Sequence, residues 1–329
     1  MNLEKSLGFQ DIAILQRKCI VNSRSEINIE SEIIKGVIRP IPIIASNMST
    51  VVNADFINKL WDIGAFGVMH RAGTDKYIFE EIIKVKNHGC KWIGASIGIS
   101  ENQFSFAQKL ISLGVNVINI DVAHGWCDRV LNLCYQIKGQ YDNIKVIIGN
   151  VVNPGILDDI EKASKNIWPD AIKVGIGGGL GCSTALTAGC TKNQWSAIFD
   201  FKNQGMNIPL ISDGNIKEPS DFVKAIGAGA SSAMCGSVFA RCPESAAEIV
   251  EINGVEKKIY QGMSSKAVQE KYRGKVHNDC PEGRTVLLPI GEPLEALLKR
   301  YAGALRSGIS YSGFNNINDF KQNCEFIRI

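Results

Sequence analysis

Net charge, histidine, long apolar runs and metal-binding spacings are all scarce in this sequence, and each scarcity closes off a class of function. Lys and Arg together number 36 against 33 Asp and Glu, a balance of +3 that leaves no electrostatic footprint of the kind a nucleic-acid binder presents. An anionic ligand must therefore be held by a few local groups. The four histidines show no ligand spacing, and the pairs Cys182/Cys190 and Cys235/Cys242 lack the gaps of about two to four residues that zinc sites favour, so no zinc is expected. No stretch reaches the roughly 18 uninterrupted apolar residues of a bilayer span. Met1 to Gln10 has no basic flank followed by an apolar core, and the expected setting is the cytoplasm, where free cysteines survive. Neither a low-complexity linker nor a long internal repeat appears.

What is present is a core-forming chain of 329 residues with 45% hydrophobic content, enough for one large barrel or two ordinary domains. Short β-rich apolar runs recur at Pro42 to Ser46, Ala65 to His70, Lys91 to Ile97, Val115 to Asp121, Ile144 to Asn150, Asp170 to Ile176, Ile208 to Asp213 and Ser232 to Ser237. They are continuously apolar rather than alternating, as strands buried on both faces of a parallel sheet are. Helical periods fall between them at Ala54 to Ile63, Ile78 to Asn87, Gln103 to Leu113, Asp128 to Gln140, Ile156 to Ala163, Asn193 to Asn203 and Pro219 to Ile226. Eight such units predict an α/β fold, a (β/α)8 TIM barrel of eight parallel strands. An irregular C-terminal extension follows the eighth strand over Gly262 to Pro289, with a closing helix near Glu292 to Ala304. The expected organisation is a single domain over residues 1–329, with an active-site loop at 177–192 and an active-site segment at 262–289.

In such a barrel the chemistry sits on the loops after the strands. That singles out Asn47 and Met48, His70 and Arg71, Ser96, Asp121 and His124, Asn150, the loop carrying Cys182, Asp213 and Gly214, and Gly236 with Ser237. Cys182 lies in a run of glycines from Gly175 to Gly181, where the backbone can approach a ligand closely. Its thiol is expected to be displayed as a nucleophile, and the other nine cysteines to be packed in the core. Asp213-Gly214 and Gly236-Ser237 fall after strands seven and eight, where barrels hold phosphate on backbone N–H groups. Asp213 also suits ribose hydroxyls, although an Asp-Gly turn accounts for the pair equally well. Asp121 and His124 suit catalysis or a second ligand, with Asp121 alternatively capping the helix that follows.

Along nearly the whole chain the residues resemble the IMP dehydrogenase/GMP reductase family, above all its GMP reductase branch. The resemblance is carried by Ser23-Arg24-Ser-Glu, Ile41-Pro-Ile-Ile-Ala-Ser-Asn-Met48, Asp121-Val-Ala-His-Gly125, Gly149-Asn-Val-Val152, Lys173-Val-Gly-Ile-Gly177, Ile211-Ser-Asp-Gly214, Gly227-Ala-Gly-Ala230, Tyr260-Gln-Gly-Met-Ser-Ser265, Glu282-Gly-Arg-Thr285, Leu305-Arg-Ser-Gly308 and Phe326-Ile-Arg-Ile329. Two features favour the reductase branch. No regulatory pair of domains is inserted between the second helix and third strand, and Glu282-Gly-Arg-Thr stands where the dehydrogenase has its water-activating Arg-Tyr flap.

The resemblance implies reductive deamination of a guanine nucleotide by NADPH, with NADH as the alternative donor. Cys182 would attack purine C2, and Thr184 with Glu282 would supply the proton for departing ammonia. It further implies nucleotide binding by Asp213, Gly214, Asn215, Gly236, Ser237, Met263, Ser264 and Ser265. Ser23, Arg24, Arg71, Asp121, Val122 and Ala123 would meet the dinucleotide, joined by Ser307 from a second subunit of a homotetramer. Backbone carbonyls of Gly177, Gly179 and Cys182 would hold potassium. The partner is thus a purine nucleotide, with neither nucleic acid nor membrane.

The sequence departs from the family where ligands bind. Leu180 replaces the phosphate-binding serine, Asn215 replaces a glycine, Ala185 and Leu186 stand where basic residues follow the threonine, and Asn278, Asp279 and Cys280 replace a Tyr-Arg pair. Losing one bond to a phosphate costs on the order of 1 to 3 kcal/mol, tenfold or more in affinity. The retained Cys182, Thr184, Glu282 and Asp213 then suggest a related substrate, such as a deoxynucleotide, a modified purine or a deazapurine nucleotide. The rival readings are an IMP dehydrogenase-type oxidation with NAD, told apart by its xanthine-nucleotide product, and a non-catalytic nucleotide binder, told apart by absence of turnover.

Overall fold

The computed structural model describes residues 5–163, 167–205, 207–274, 276 and 279–329; Asn278 lies outside them. Eight parallel strands close a barrel in chain order: Ile43–Ala45, Phe66–Met69, Gly94–Ile97, Val117–Asp121, Lys145–Val151, Ala171–Val174, Leu210–Asp213 and Ser232–Cys235, the last pairing with the first. Each falls on one of the eight apolar runs, and the expected barrel is the observed one.

Helices return the chain between strands, and their ends show why they start and stop where they do. The Asn53 side chain accepts a hydrogen bond from the Phe56 amide to open the helix Ala54–Ile63, and Gly64 closes it in the left-handed conformation, as caps of these types do. That helix buries Phe56, Ile57 and Leu60 on its inner face, each such side chain contributing about 1.5–3 kcal/mol. The predicted helix at Ile78 to Asn87 begins a turn earlier, at Asp75, because Thr74 accepts from the Tyr77 amide as its cap.

The barrel's amino end is closed by a hairpin absent from the sequence-based expectation, Ser31–Ile34 paired with Val37–Arg39. The hairpin's polar groups bind carbonyls that precede strands: the Lys35 amide donates to Asp170, the Ser31 hydroxyl to Ser231 and the Arg39 guanidinium to Ala65. Its Ile33, Ile34 and Val37 pack on Ile44, Phe66, Val68, Val117, Ile147, Ile211 and Met234. A second cluster lies between strands and helices.

The stretch after the eighth strand corrects the expectation of irregular chain over Gly262 to Pro289. It contains the helix Lys266–Arg273 and the strand Thr285–Pro289, which completes an antiparallel sheet with Ile249–Ile252 and Val255–Gln261. In the strand Val255–Gln261 the charges of Glu256, Lys257 and Lys258 interrupt the apolar pattern that would mark it in the sequence. Lys258 is nevertheless buried, its ammonium caged by the carbonyls of Pro243, Ser245 and Ala247. The closing helix spans Leu294–Tyr311, and Phe326–Arg328 pairs with Ile12–Ile14. Among the described residues no helix is long and apolar enough to cross a membrane.

Candidate active site

At the carboxyl ends of the strands lies a cleft lined by the loop Gly175–Cys182, by residues at the ends of six other barrel strands, and by Tyr260, Gly262, Met263, Ser264, Glu282 and Gly283 of the extension. The glycines are required by close backbone approach. A side chain at Gly175 would meet the Asp213 carbonyl oxygen at 2.0 Å, and one at Gly236 would meet the Tyr260 hydroxyl at 2.4 Å.

Cys182 lines this cleft, half-buried rather than packed in the core. Its thiol donates to the Thr184 hydroxyl at 3.2 Å, and that hydroxyl donates to Glu282 Oε2 at 2.7 Å. The three residues come from two segments 98 positions apart, brought together by main-chain bonds. The Ser183 amide donates to the Glu282 carbonyl at 2.8 Å, the Arg284 amide to Gly181 at 2.9 Å, and the Gly262 amide to Arg284 at 3.1 Å. The Arg284 side chain adds a bond to the Leu180 carbonyl at 2.8 Å. The extension thus acts as a clamp that holds the cysteine loop in register.

A second polar cluster surrounds Lys173, whose side chain points into the barrel from the sixth strand and is 1% exposed. It pairs closely with Asp121 and lies 3.7 Å from Asp213. Asp213 also accepts from Asn150 at 2.8 Å, and Asp121 faces Arg71 at 3.9 Å. Burial opposes the charge on Lys173, but the carboxylates of Asp121 and Asp213 outweigh it and hold the ammonium above lysine's ordinary range. Burial also works against Asp121, yet Lys173 and Arg71 prevail and hold its carboxyl below the usual range. At Asp213 burial wins, and its carboxyl is pushed up. A buried cation shared by two acids, with their protonation drawn apart, is common at functional sites.

Of the expected site residues, Cys182, Thr184, Glu282, Asp213, Gly214, Asn215, Gly236, Ser237, Met263, Ser264, Arg71, Asp121, Val122, Ala123, Gly177 and Gly179 all line this cleft, as do Asn47, Met48 and Asn150. Ser265 does not: it is buried, and its hydroxyl accepts from the Val268 amide to cap a helix. Ser23, Arg24 and Ser307 lie away from the cleft, with Arg24 donating to the Ser307 hydroxyl at 2.8 Å on an exposed surface. These three form one patch.

His70 is buried and stacks on Tyr77, His124 is exposed outside the cleft, and Ser96 accepts from Asn119 inside the barrel. Asp121 caps no helix, since the next one is preceded by Cys127. Leu180 and Asn215 face the cleft, whereas Ala185 is outside it and Leu186 is 81% exposed. The departures from the family pattern are therefore less concentrated at the ligand positions than the sequence suggested. No disulfide joins cysteines among the described residues, and burial holds for only five of the nine besides Cys182. Cys19, Cys190 and Cys280 are exposed and Cys127 is half-buried, because they sit in connections rather than on packed faces.

Sequence reasoning missed Lys173 and Tyr260 as cleft residues. The signal for Lys173 was available, a lone charge in the middle of an otherwise apolar strand.

A family model described as IMP dehydrogenase / GMP reductase domain matches residues 6–329. A GMP reductase of Staphylococcus epidermidis is 32% identical over 320 residues, covering 96% of this chain and 94% of that protein. A GMP reductase of Streptococcus suis is 32% identical over 314 residues, 95% and 92% of the two chains. An inosine-5'-monophosphate dehydrogenase of Chlorobaculum parvum is 35% identical over 255 residues, 74% of this chain but 51% of that one.

Proposed function

The chain belongs to the IMP dehydrogenase/GMP reductase family of oxidoreductases, and from that premise we propose that it reductively deaminates a guanine-type purine nucleotide at C2 through a covalent bond to Cys182. The substrate is GMP or a modified, deoxy or deazapurine analogue, and the reductant is NADPH. The observation that carries this reading is the hydrogen-bonded series from Cys182 through Thr184 to Glu282. A proton can leave the sulfur along it toward a carboxylate, and a proton can return along it toward a departing amine, the two tasks of general base and general acid.

The bonds balance as follows. The thiolate of Cys182 bonds to C2, and the C2–N bond breaks with its electron pair on nitrogen, which leaves as ammonia after protonation by way of Thr184 and Glu282. A bound reduced nicotinamide supplies the hydride that C2 then takes up. The C–S bond breaks, sulfur recovers its electron pair, and the product carries hydrogen where the amine had been.

Arg71, Asp121, Val122 and Ala123 fit such a dinucleotide. The Arg71 Nε is buried without a hydrogen-bond partner, a donor suited to a ligand oxygen. Ser307, with Ser23 and Arg24 beside it, would come from a neighbouring subunit of a homotetramer. Met263, Ser264 and the amides near Gly214, Gly236 and Ser237 would hold the nucleotide. A potassium ion would rest on the carbonyls of Gly177, Gly179 and Cys182, which ask of the loop only backbone oxygens.

The 35% identity to an inosine-5'-monophosphate dehydrogenase favours oxidation at C2 with NAD as the second reading. One assay separates the two. Incubation with NADPH and a panel of guanine-type nucleotides should release ammonia in step with NADPH loss. Conversion of IMP to a xanthine nucleotide with NAD, and no ammonia release from any member of the panel, would instead establish the oxidative reading.

A further inference from the structure

Three carboxylates and three cations line the cleft: Asp121, Asp213 and Glu282 against Arg71, Lys173 and Lys217. Lys173 is committed to Asp121 and Asp213, and Arg71, 3.9 Å from Asp121, is the cation assigned above to the dinucleotide. Lys217 is different. It lines the cleft, is exposed, and is paired with no carboxylate among the described residues.

Its main chain is nevertheless fixed at the mouth of the site, just after the seventh strand. The Lys217 amide donates to Asp221 Oδ2 at 2.9 Å, and its carbonyl accepts from the Tyr301 hydroxyl at 3.3 Å. Two residues earlier, Asn215 takes a left-handed conformation with φ of 59°. Its side-chain nitrogen Nδ2 lies 2.5 Å from where a side chain on Gly178 would begin, which brings this turn against the cysteine loop. On that facing loop Leu180 offers no side-chain donor, and its carbonyl is taken by Arg284.

A doubly charged phosphate entering this cleft thus finds Lys173 committed deep in the barrel, an apolar side chain on one loop, and an exposed lysine on the other. We propose that Lys217 is the specificity-determining residue for the phosphate end of the substrate, replacing by charge what the loop at Leu180 does not provide. The inference rests on the nucleotide-binding reading above and adds to it the residue that tells a nucleoside 5′-monophosphate from a nucleoside. An exposed lysine acts on phosphate as a point charge, so the contact is screened as salt rises.

The test uses the full-length protein, its Lys217→Gln and Lys217→Arg variants, and calorimetric binding of guanosine 5′-monophosphate and guanosine, with KM and kcat measured in parallel. Lys217→Gln should weaken the monophosphate about tenfold and flatten the salt dependence of its binding. Guanosine affinity should stay within about twofold, and Lys217→Arg should restore most of the loss. KM should rise far more than kcat falls. Equal weakening of both ligands, or none, would overturn the role of Lys217, as would a wild-type protein that binds nucleoside and nucleotide alike. A wild-type protein that prefers the monophosphate but releases no ammonia from it would sink the deamination reading alone, leaving Lys217 to be decided by the binding constants.

Discussion

At the amino ends of the strands the barrel interior is filled by Ile33, Ile34 and Val37 against Phe66, Val68 and Met234. At the carboxyl ends the same eight strands surround Lys173, Asp121 and Asp213, with Cys182 and Glu282 on the loops above. One end is a plug of packed apolar side chains. The other leaves a buried Arg71 nitrogen without a partner and a cysteine half-open to a cleft. The comparison separates what holds the barrel from what acts on a ligand, and substitutions at the two ends should fail in different ways.

The largest effect is expected at Cys182. Cys182→Ala should lower turnover by at least about a thousandfold without shifting the denaturation midpoint, because the thiol packs against no core. Residual turnover near the wild-type rate in a steady-state assay would remove the sulfur from the chemistry. Glu282→Gln comes next, with a loss in kcat of about a hundredfold or more, since an amide cannot take a proton from Thr184. A kcat equal to the wild-type value at every pH tested would exclude the relay.

Ile34→Ala should do the reverse. It empties a fully buried position in the plug and should cost about 2–4 kcal/mol of stability, read from denaturant unfolding, with KM and kcat near wild type at low temperature. A stable but inactive Ile34 variant would break the division between the two ends.

The smallest effect concerns pH. Burial holds the His70 imidazole down to about 4, so between about pH 6.5 and about 4 the unfolded chain binds a proton that the folded one refuses. Stability present at neutral pH is therefore lost as pH falls through that window, by about 2 kcal/mol between pH 7 and 5. His70→Gln should flatten the slope of the unfolding midpoint over this range, and an unchanged slope would show that His70 is not the group responsible.

The barrel was legible because parallel strands buried on both faces leave continuous apolar runs, as Val117 to Asp121 and Lys145 to Val151 do. Cys182, Asp213 and Gly236 were legible because they follow such runs. Features built on long-range contact were not. The plug hairpin has strands of only three and four residues, too short to display an alternation. Ile12–Ile14 finds its partner at the far end of the chain. Lys258 looks like a surface charge until its carbonyl cage is seen. Nor could spacing alone tell that Ser265 caps a helix, or that Ser23, Arg24 and Ser307 share a patch apart from the cleft.

The central claim is that the Cys182 sulfur bonds to purine C2, and intact-protein mass spectrometry tests it most directly. Wild-type protein mixed with a turned-over guanine-type nucleotide and quenched with acid should gain the mass of the nucleotide less ammonia, mapped by peptide analysis to Cys182 and absent from Cys182→Ala. Rapid turnover with no adduct at any quench time, or an adduct that persists in Cys182→Ala, would contradict it.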